Sequence, residues 1–305
     1  MAHRVIVVLL LLLSLSGCNL GTSESDNPPT LQPRITEQPL PTLGYSTPVP
    51  NVDNPAATSP VSSQPAGAQL YTLLNPVTND SLMNTVSRLQ GFGTRHVNSS
   101  SLVPGQGVAA AADWLYSEFQ TIQQQSQGNF QAFVHPFDSV YNGATTSQRN
   151  IVGIINGTLP NNQAIIIGAH YDSRTDDLSD GNGFAPGADD NGSGVAAVLE
   201  MARILSRIRP RSTLIFVLFS AEEVDRQGSR RFVRDYIQGY NIQVKLMINV
   251  DTVGSVNDQV GNINDREIRI FSAPPDDSPS RQMARMVDFI VDNYGTDLKV
   301  VYVEA

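Results

Sequence analysis

Residues 164–172, "AIIIGAHYD", decide the fold. Six apolar or small residues run without the polar alternation of a half-exposed strand, so the strand they form is covered on both faces. The run stops at His170 and Asp172, two side chains able to do chemistry. Two further segments repeat the design. "STLIFVLFSAEE" (212–223) carries a β-rich run into Glu222 and Glu223, and "VKLMINVDTVG" (244–254) carries one into Asp251. Runs at 130–137, 149–156, 267–273 and 298–305 are further strands. Helical spacing of apolar residues marks 80–90, 107–125, 192–208, 228–238 and 279–294. Alternating strands and helices predict an α/β fold, a three-layer sandwich around a mostly parallel, mixed central sheet.

In such sheets ligands gather at the carboxyl ends of strands. The pattern therefore sends His170, Asp172, Glu222, Glu223 and Asp251 to one edge, and the loop "GADDNGSG" (187–194) follows the first of these strands. Taken singly, a histidine after a strand or an acidic pair at a strand exit is ordinary surface. Together the carboxylates repel one another and need a counter-charge. No cluster of Arg or Lys stands at these strand ends in the sequence, so divalent cations are the expected partner. Oxygen and nitrogen ligands without thiolate suit zinc, and less well manganese or cobalt.

The rest of the chain narrows the possibilities. A net charge of −9 argues against a nucleic-acid partner, which needs a basic surface. "MAHRVIVVLLLLLSLSGCNLG" (1–21) has a short basic start and an apolar run from Val5 to Leu13, and reads as a secretory signal. Its "LSGC" resembles a bacterial lipobox, which implies lipidation of Cys18, the single cysteine of the chain. The expected organisation is a signal peptide over 1–18, a Pro/Ser/Thr-rich linker over 19–68 and a catalytic domain over 69–305. The expected location is outside the cytoplasm, tethered by acyl chains and not by a spanning helix.

"GAHYDS", "GADDNGSG", "SAEEVDRQGS" and "INVDTVG", in this order and spacing, resemble the di-zinc exopeptidases typified by bacterial leucyl aminopeptidases, with glutamate carboxypeptidase II and glutaminyl cyclases as relatives. The likeness covers about residues 78–305, "GFGTRH" (91–96) included. It implies that His170 and Asp251 bind one zinc and Glu223 a second. Asp172 would hydrogen-bond the far ring nitrogen of His170, and Glu222 would be the general base. The family pattern, counted back from Ser193 and Gly194, assigns the bridging aspartate to Asp190, before a cis peptide. Asp189 is left as a loop residue, and Gly192 and Gly194 ease the helix entry.

The implied activity is removal of N-terminal residues from peptides. The alternatives are a carboxypeptidase, a glutaminyl cyclase on the same metal site, or an inactive peptidase-like binding domain. One element departs from the family: a further histidine ligand downstream of Asp251. The histidines here are His3, His96, His135 and His170. The expectation is therefore a chain truncated at its C-terminus, or a variant with one good zinc site and a weaker second one. His96 and His135 are expected to be structural. "DDLSDGNG" (176–183) fails as a calcium loop, because Leu178 occupies a ligand position.

Overall fold

The computed structural model describes residues 76–99, 103–159, 161–257, 261–293 and 297–305. The signal segment, Cys18 and the linker lie outside the described residues. Among the described residues, no helix is long and apolar enough to cross a membrane.

Two helices come first, α1 (Asn79–Gln90) and α2 (Gly107–Gln125). Thr78 caps α1, its Oγ1 accepting from the Ser81 N–H at 3.1 Å. Along α2, Val108, Ala111, Ala112, Leu115, Phe119 and Ile122 form one buried stripe at helical spacing. A hairpin follows, β1 (Phe130–Tyr141) and β2 (Ala144–Ile155). Both strands are longer than their apolar runs predict. They close through Asn142 and Gly143, each at positive φ (49° and 74°), as a two-residue hairpin turn demands.

The parallel part of the sheet is β3 (Gln163–His170), β4 (Thr213–Phe219) and β5 (Gln243–Asn249). Between β3 and β4 runs α3 (Gly194–Leu205), buried on almost every side. Between β4 and β5 lies α4 (Gln227–Phe232), which continues in a wider helical turn over Val233–Gln238. The sheet order is β1-β2-β4-β3-β5. Parallel pairs join β4, β3 and β5, and antiparallel pairs join β4 to β2 and β2 to β1. Four strands thus share one direction and only β2 is reversed.

Side chains alternate between two cores. Ile165, Ile167, Leu214, Phe216 and Leu218 pack towards α1, α2 and α3, whereas Ile166, Ile215, Val217 and Phe219 pack towards Phe232, Tyr236 and Ile237. Helices on both faces give the three layers, and every residue of β4 is buried. At the sheet edge β5 is different, with Val244 and Met247 exposed. β6 (Glu267–Ser272) and β7 (Lys299–Glu304) do not join the central sheet. They pair in parallel with each other, linked by α5 (Pro279–Asn293).

Candidate metal centre

Strand order explains how the acidic residues meet. β3 lies between β4 and β5, so His170 at its end has the Glu222–Glu223 turn on one side and Asp251 on the other. The ladders hold up to the strand ends: the Tyr171 N–H donates to the Phe219 carbonyl and the Val250 N–H to the Gly168 carbonyl, both at 2.8 Å. Beyond them the backbone is bent. Ala221 and Thr252, flanking Glu222 and Asp251, sit at φ 58° and 47°, the left-handed region that non-glycine residues adopt uncommonly.

Asp190 is returned to the same point by the turn Ala188–Ser193, within which Asp190 and Asn191 leave helical geometry and are joined by a cis peptide. Asn191 is fully buried and clamps this turn. Its Nδ2 donates to the Val250 carbonyl at 2.9 Å, and its Oδ1 accepts from the Gly194 N–H at 2.9 Å. Gly194 passes so close that a Cβ there would overlap the Val250 carbonyl. Asp189 faces away from Asp190. Its Oδ1 accepts from Ser193 Oγ and from the N–H groups of Gly254 and Ser255, at 3.1, 2.7 and 3.1 Å. The two adjacent aspartates thus have separate tasks, one facing the cleft and one tying the loop behind Asp251.

His170 is buried, and its Nε2 lies 3.1 Å from Asp190 Oδ1 and 3.5 Å from Asp251 Oδ1. Its Nδ1 lies 3.2 Å from the Asp172 carbonyl. A carbonyl only accepts, so Nδ1 carries the proton and the Nε2 lone pair of the neutral ring points at two carboxylates. That arrangement needs a cation between them. Burial alone lowers the His170 pKa, but Asp172, Asp190 and Asp251 together raise it well above the usual imidazole range: without a metal, the ring takes a proton there.

The role expected of Asp172 changes in detail. Its carboxylate stands 3.6 Å from Nδ1, beyond hydrogen-bonding distance, and accepts instead from the backbone N–H of Glu222 and Glu223 at 3.0 and 3.1 Å. Asp172 therefore orients the imidazole through its carbonyl and the Glu222–Glu223 turn through its side chain.

The residues fit a divalent cation. Asp251 Oδ1 is buried without a hydrogen-bond partner, which is costly unless a cation satisfies it. One ligand atom each from His170, Asp190 and Glu223 also lies within 4.8 Å of the others. Glu223 thus completes one compact group with His170 and Asp190, while Asp251 approaches the same His170 nitrogen from the β5 side. Glu222 is half-buried beside them, and desolvation raises its pKa, with Asp172 and Asp251 adding to the rise. For Glu223 desolvation is again the main cause, with Asp190 and Asp172 next, and its pKa is pushed up to about 7.

Contrary to the sequence reading, basic groups do reach the site. Arg174 donates from Nε to Glu223 Oε2 at 2.6 Å. Arg95 is fully buried behind the cleft and donates to four backbone carbonyls: Tyr171 at 2.5 Å, Leu89 at 3.1 Å, Pro186 at 2.7 Å and Gly187 at 2.9 Å. Burial lowers its pKa to about 10 against the opposing pull of Asp172 and Asp190, so it remains a cation at neutral pH. Fastening residues 186–187, Arg95 sets the start of the turn that carries Asp190. It was legible only as part of "GFGTRH"; nothing local to that stretch points to a strand end 75 residues away.

His96 and His135 are structural, as expected. His96 accepts from the Asn98 N–H and packs on Tyr141, and His135 pairs with Asn150. In the loop over 176–183, Asp177 and Asp180 accept from neighbouring groups of the same loop.

Residues 150–283 match the sequence model of peptidase family M28, and this segment contains every residue of the centre from His170 to Asp251. The chain is 31% identical, over 76% of its length, to a probable zinc metalloprotease of Pyrenophora tritici-repentis, and covers 58% of that protein. It thus spans somewhat over half the length of the curated relatives it matches. The LapA aminopeptidase of Legionella pneumophila superposes with a TM-score of 0.60 at 23% identity, over 83% of this chain and 62% of that one. A glutaminyl cyclase of Bacteroides thetaiotaomicron superposes with a TM-score of 0.55 at 20% identity, over 74% and 76%. These structural likenesses show the shared fold.

Proposed function

We propose that the chain is a zinc-dependent aminopeptidase acting on peptides outside the cytoplasm. The observation that carries this reading is the His170 Nε2 facing an Asp190 oxygen at 3.1 Å and the unpartnered Asp251 oxygen at 3.5 Å, beside a half-buried Glu222. Zinc bound there supplies a Lewis acid that polarises the scissile carbonyl and makes water acidic enough to attack at neutral pH. Glu222 accepts the proton of the attacking water at its carboxylate and delivers it to the leaving amine. Its raised pKa suits both halves of that transfer. Asp172 keeps the machinery in register, because its carboxylate holds the Glu222 N–H while its carbonyl holds the imidazole.

One zinc is held tightly on His170, Asp190 and Asp251, and a second more weakly on Asp190 and Glu223, whose carboxylate is already paired with Arg174. The location follows from the sequence: a signal over 1–18, a lipid on Cys18 and a linker over 19–68 hold the domain off the membrane. Detergent-phase partitioning that Cys18→Ser abolishes is the expected result for that anchor.

The test of the activity is release of nitroaniline from an aminoacyl-nitroanilide by the zinc-loaded chain. A second reading, cyclisation of N-terminal glutamine, is supported by the glutaminyl cyclase among the structural neighbours. Mass loss of ammonia from a glutaminyl peptide without nitroanilide cleavage would favour it over the peptidase.

A further inference from the structure

Arg174 lies four residues beyond His170, where the chain leaves the strand end for the loop that returns as Asp190. Its Nε donates to Glu223 Oε2 at 2.6 Å, with the arginine side chain 44% exposed and that of the glutamate 12%. Glu223 is fixed from the other side, its N–H held by Asp172 at 3.1 Å. The charged groups around its carboxylate are Asp190, Asp172, His170 and Arg174. Arg174 is thus a cation already placed on one of the two oxygens of the Glu223 carboxylate.

We propose that Arg174 is a built-in counter-ion that competes with the second divalent cation for Glu223, so that this end of the centre fills only when the guanidinium is displaced. The proposal rests on the reading of His170, Asp190, Glu223 and Asp251 as metal ligands. A divalent ion brought to this carboxylate meets the guanidinium only a few ångströms away, and like charges at that range repel. The exposed side of Arg174 gives it somewhere to go. The arginine regains water when it leaves, which offsets part of the cost of breaking the pair. Filling is therefore ordered: at the His170–Asp190–Asp251 set an incoming ion releases only the ring proton, whereas at the Glu223 end it must also push aside a guanidinium, so that end binds second and more weakly.

The experiment is a zinc titration of the metal-free full chain by calorimetry, with bound zinc counted after gel filtration. It is run at about pH 8, where protons compete less for Glu223, on wild type, R174Q, R174K and D251A. Circular dichroism checks that each variant is folded. The expected result is an unchanged first ion in both arginine variants and a second ion bound at least about tenfold more tightly by R174Q. R174K falls between, because lysine keeps the charge without the planar fork. A second-ion affinity that is the same or lower in R174Q, with the first ion intact and D251A-sensitive, overturns the role of Arg174 and leaves the metal reading standing. Wild type that binds no tight ion, or binds one that D251A leaves untouched, overturns the metal reading and this inference with it.

Discussion

At the β5 end of the cleft, Asp251 keeps a buried carboxylate oxygen without a hydrogen-bond partner, 3.5 Å from the His170 ring. At the β4 end, Glu223 offers the same kind of group, less exposed as a side chain, yet one of its oxygens already accepts from Arg174 at 2.6 Å. The ligand chemistry is alike; what differs is whether an arginine already stands on the carboxylate. An oxygen left unpartnered on burial gains the full value of an incoming metal, whereas one already paired gains only the difference between two partners. The two ends are therefore unequal sites by construction, and each can be broken separately.

The largest difference is expected from removing one ligand at each end. Asp251→Ala should weaken the tight zinc ion by roughly 10³-fold or more, since binding energy is concentrated in a few fixed ligands. Glu223→Ala should leave that ion within a few-fold of wild type; equal losses measured by calorimetry would erase the distinction between the ends. Next, Glu222→Gln should lower turnover by about 10²–10³-fold while tight zinc binding persists, as expected of a proton carrier that is not a ligand. A matching loss of zinc would make Glu222 a ligand instead. The smallest effect is expected behind the site. Asp189→Ala removes acceptors for Ser193, Gly254 and Ser255 and should cost about 1–3 kcal/mol of stability in urea unfolding, with zinc stoichiometry retained. Asp190→Ala, one residue along, should instead remove a ligand shared by both ends.

Much of this was legible in the sequence, for identifiable reasons. β3 and β4 are buried on both faces, so their composition alone marks them. α2 runs over the same residues that its apolar spacing predicts, Gly107–Gln125. The far halves of β1 and β2 were not read, because they are partly exposed and carry few apolar residues, although the Asn142–Gly143 pair announces their turn. The separation of β6 and β7 from the central sheet depends on pairing, which no local pattern encodes. In the site, the carboxylates and His170 were found because strand ends point them to one edge. Arg95 and Arg174 were missed because their partners are distant in sequence: backbone carbonyls as far away as Gly187, and Glu223. Clusters of one charge can be seen along a chain, but single counter-charges folded against them cannot.

The central claim is that one zinc ion sits on His170, Asp190 and Asp251. It is tested most directly by the zinc K-edge absorption fine structure of the chain loaded with one equivalent of zinc. The account predicts one imidazole nitrogen and carboxylate oxygens at about 2.0–2.2 Å, with the imidazole scattering lost in His170→Ala. A first shell without imidazole, or one that His170→Ala leaves unchanged, would contradict it.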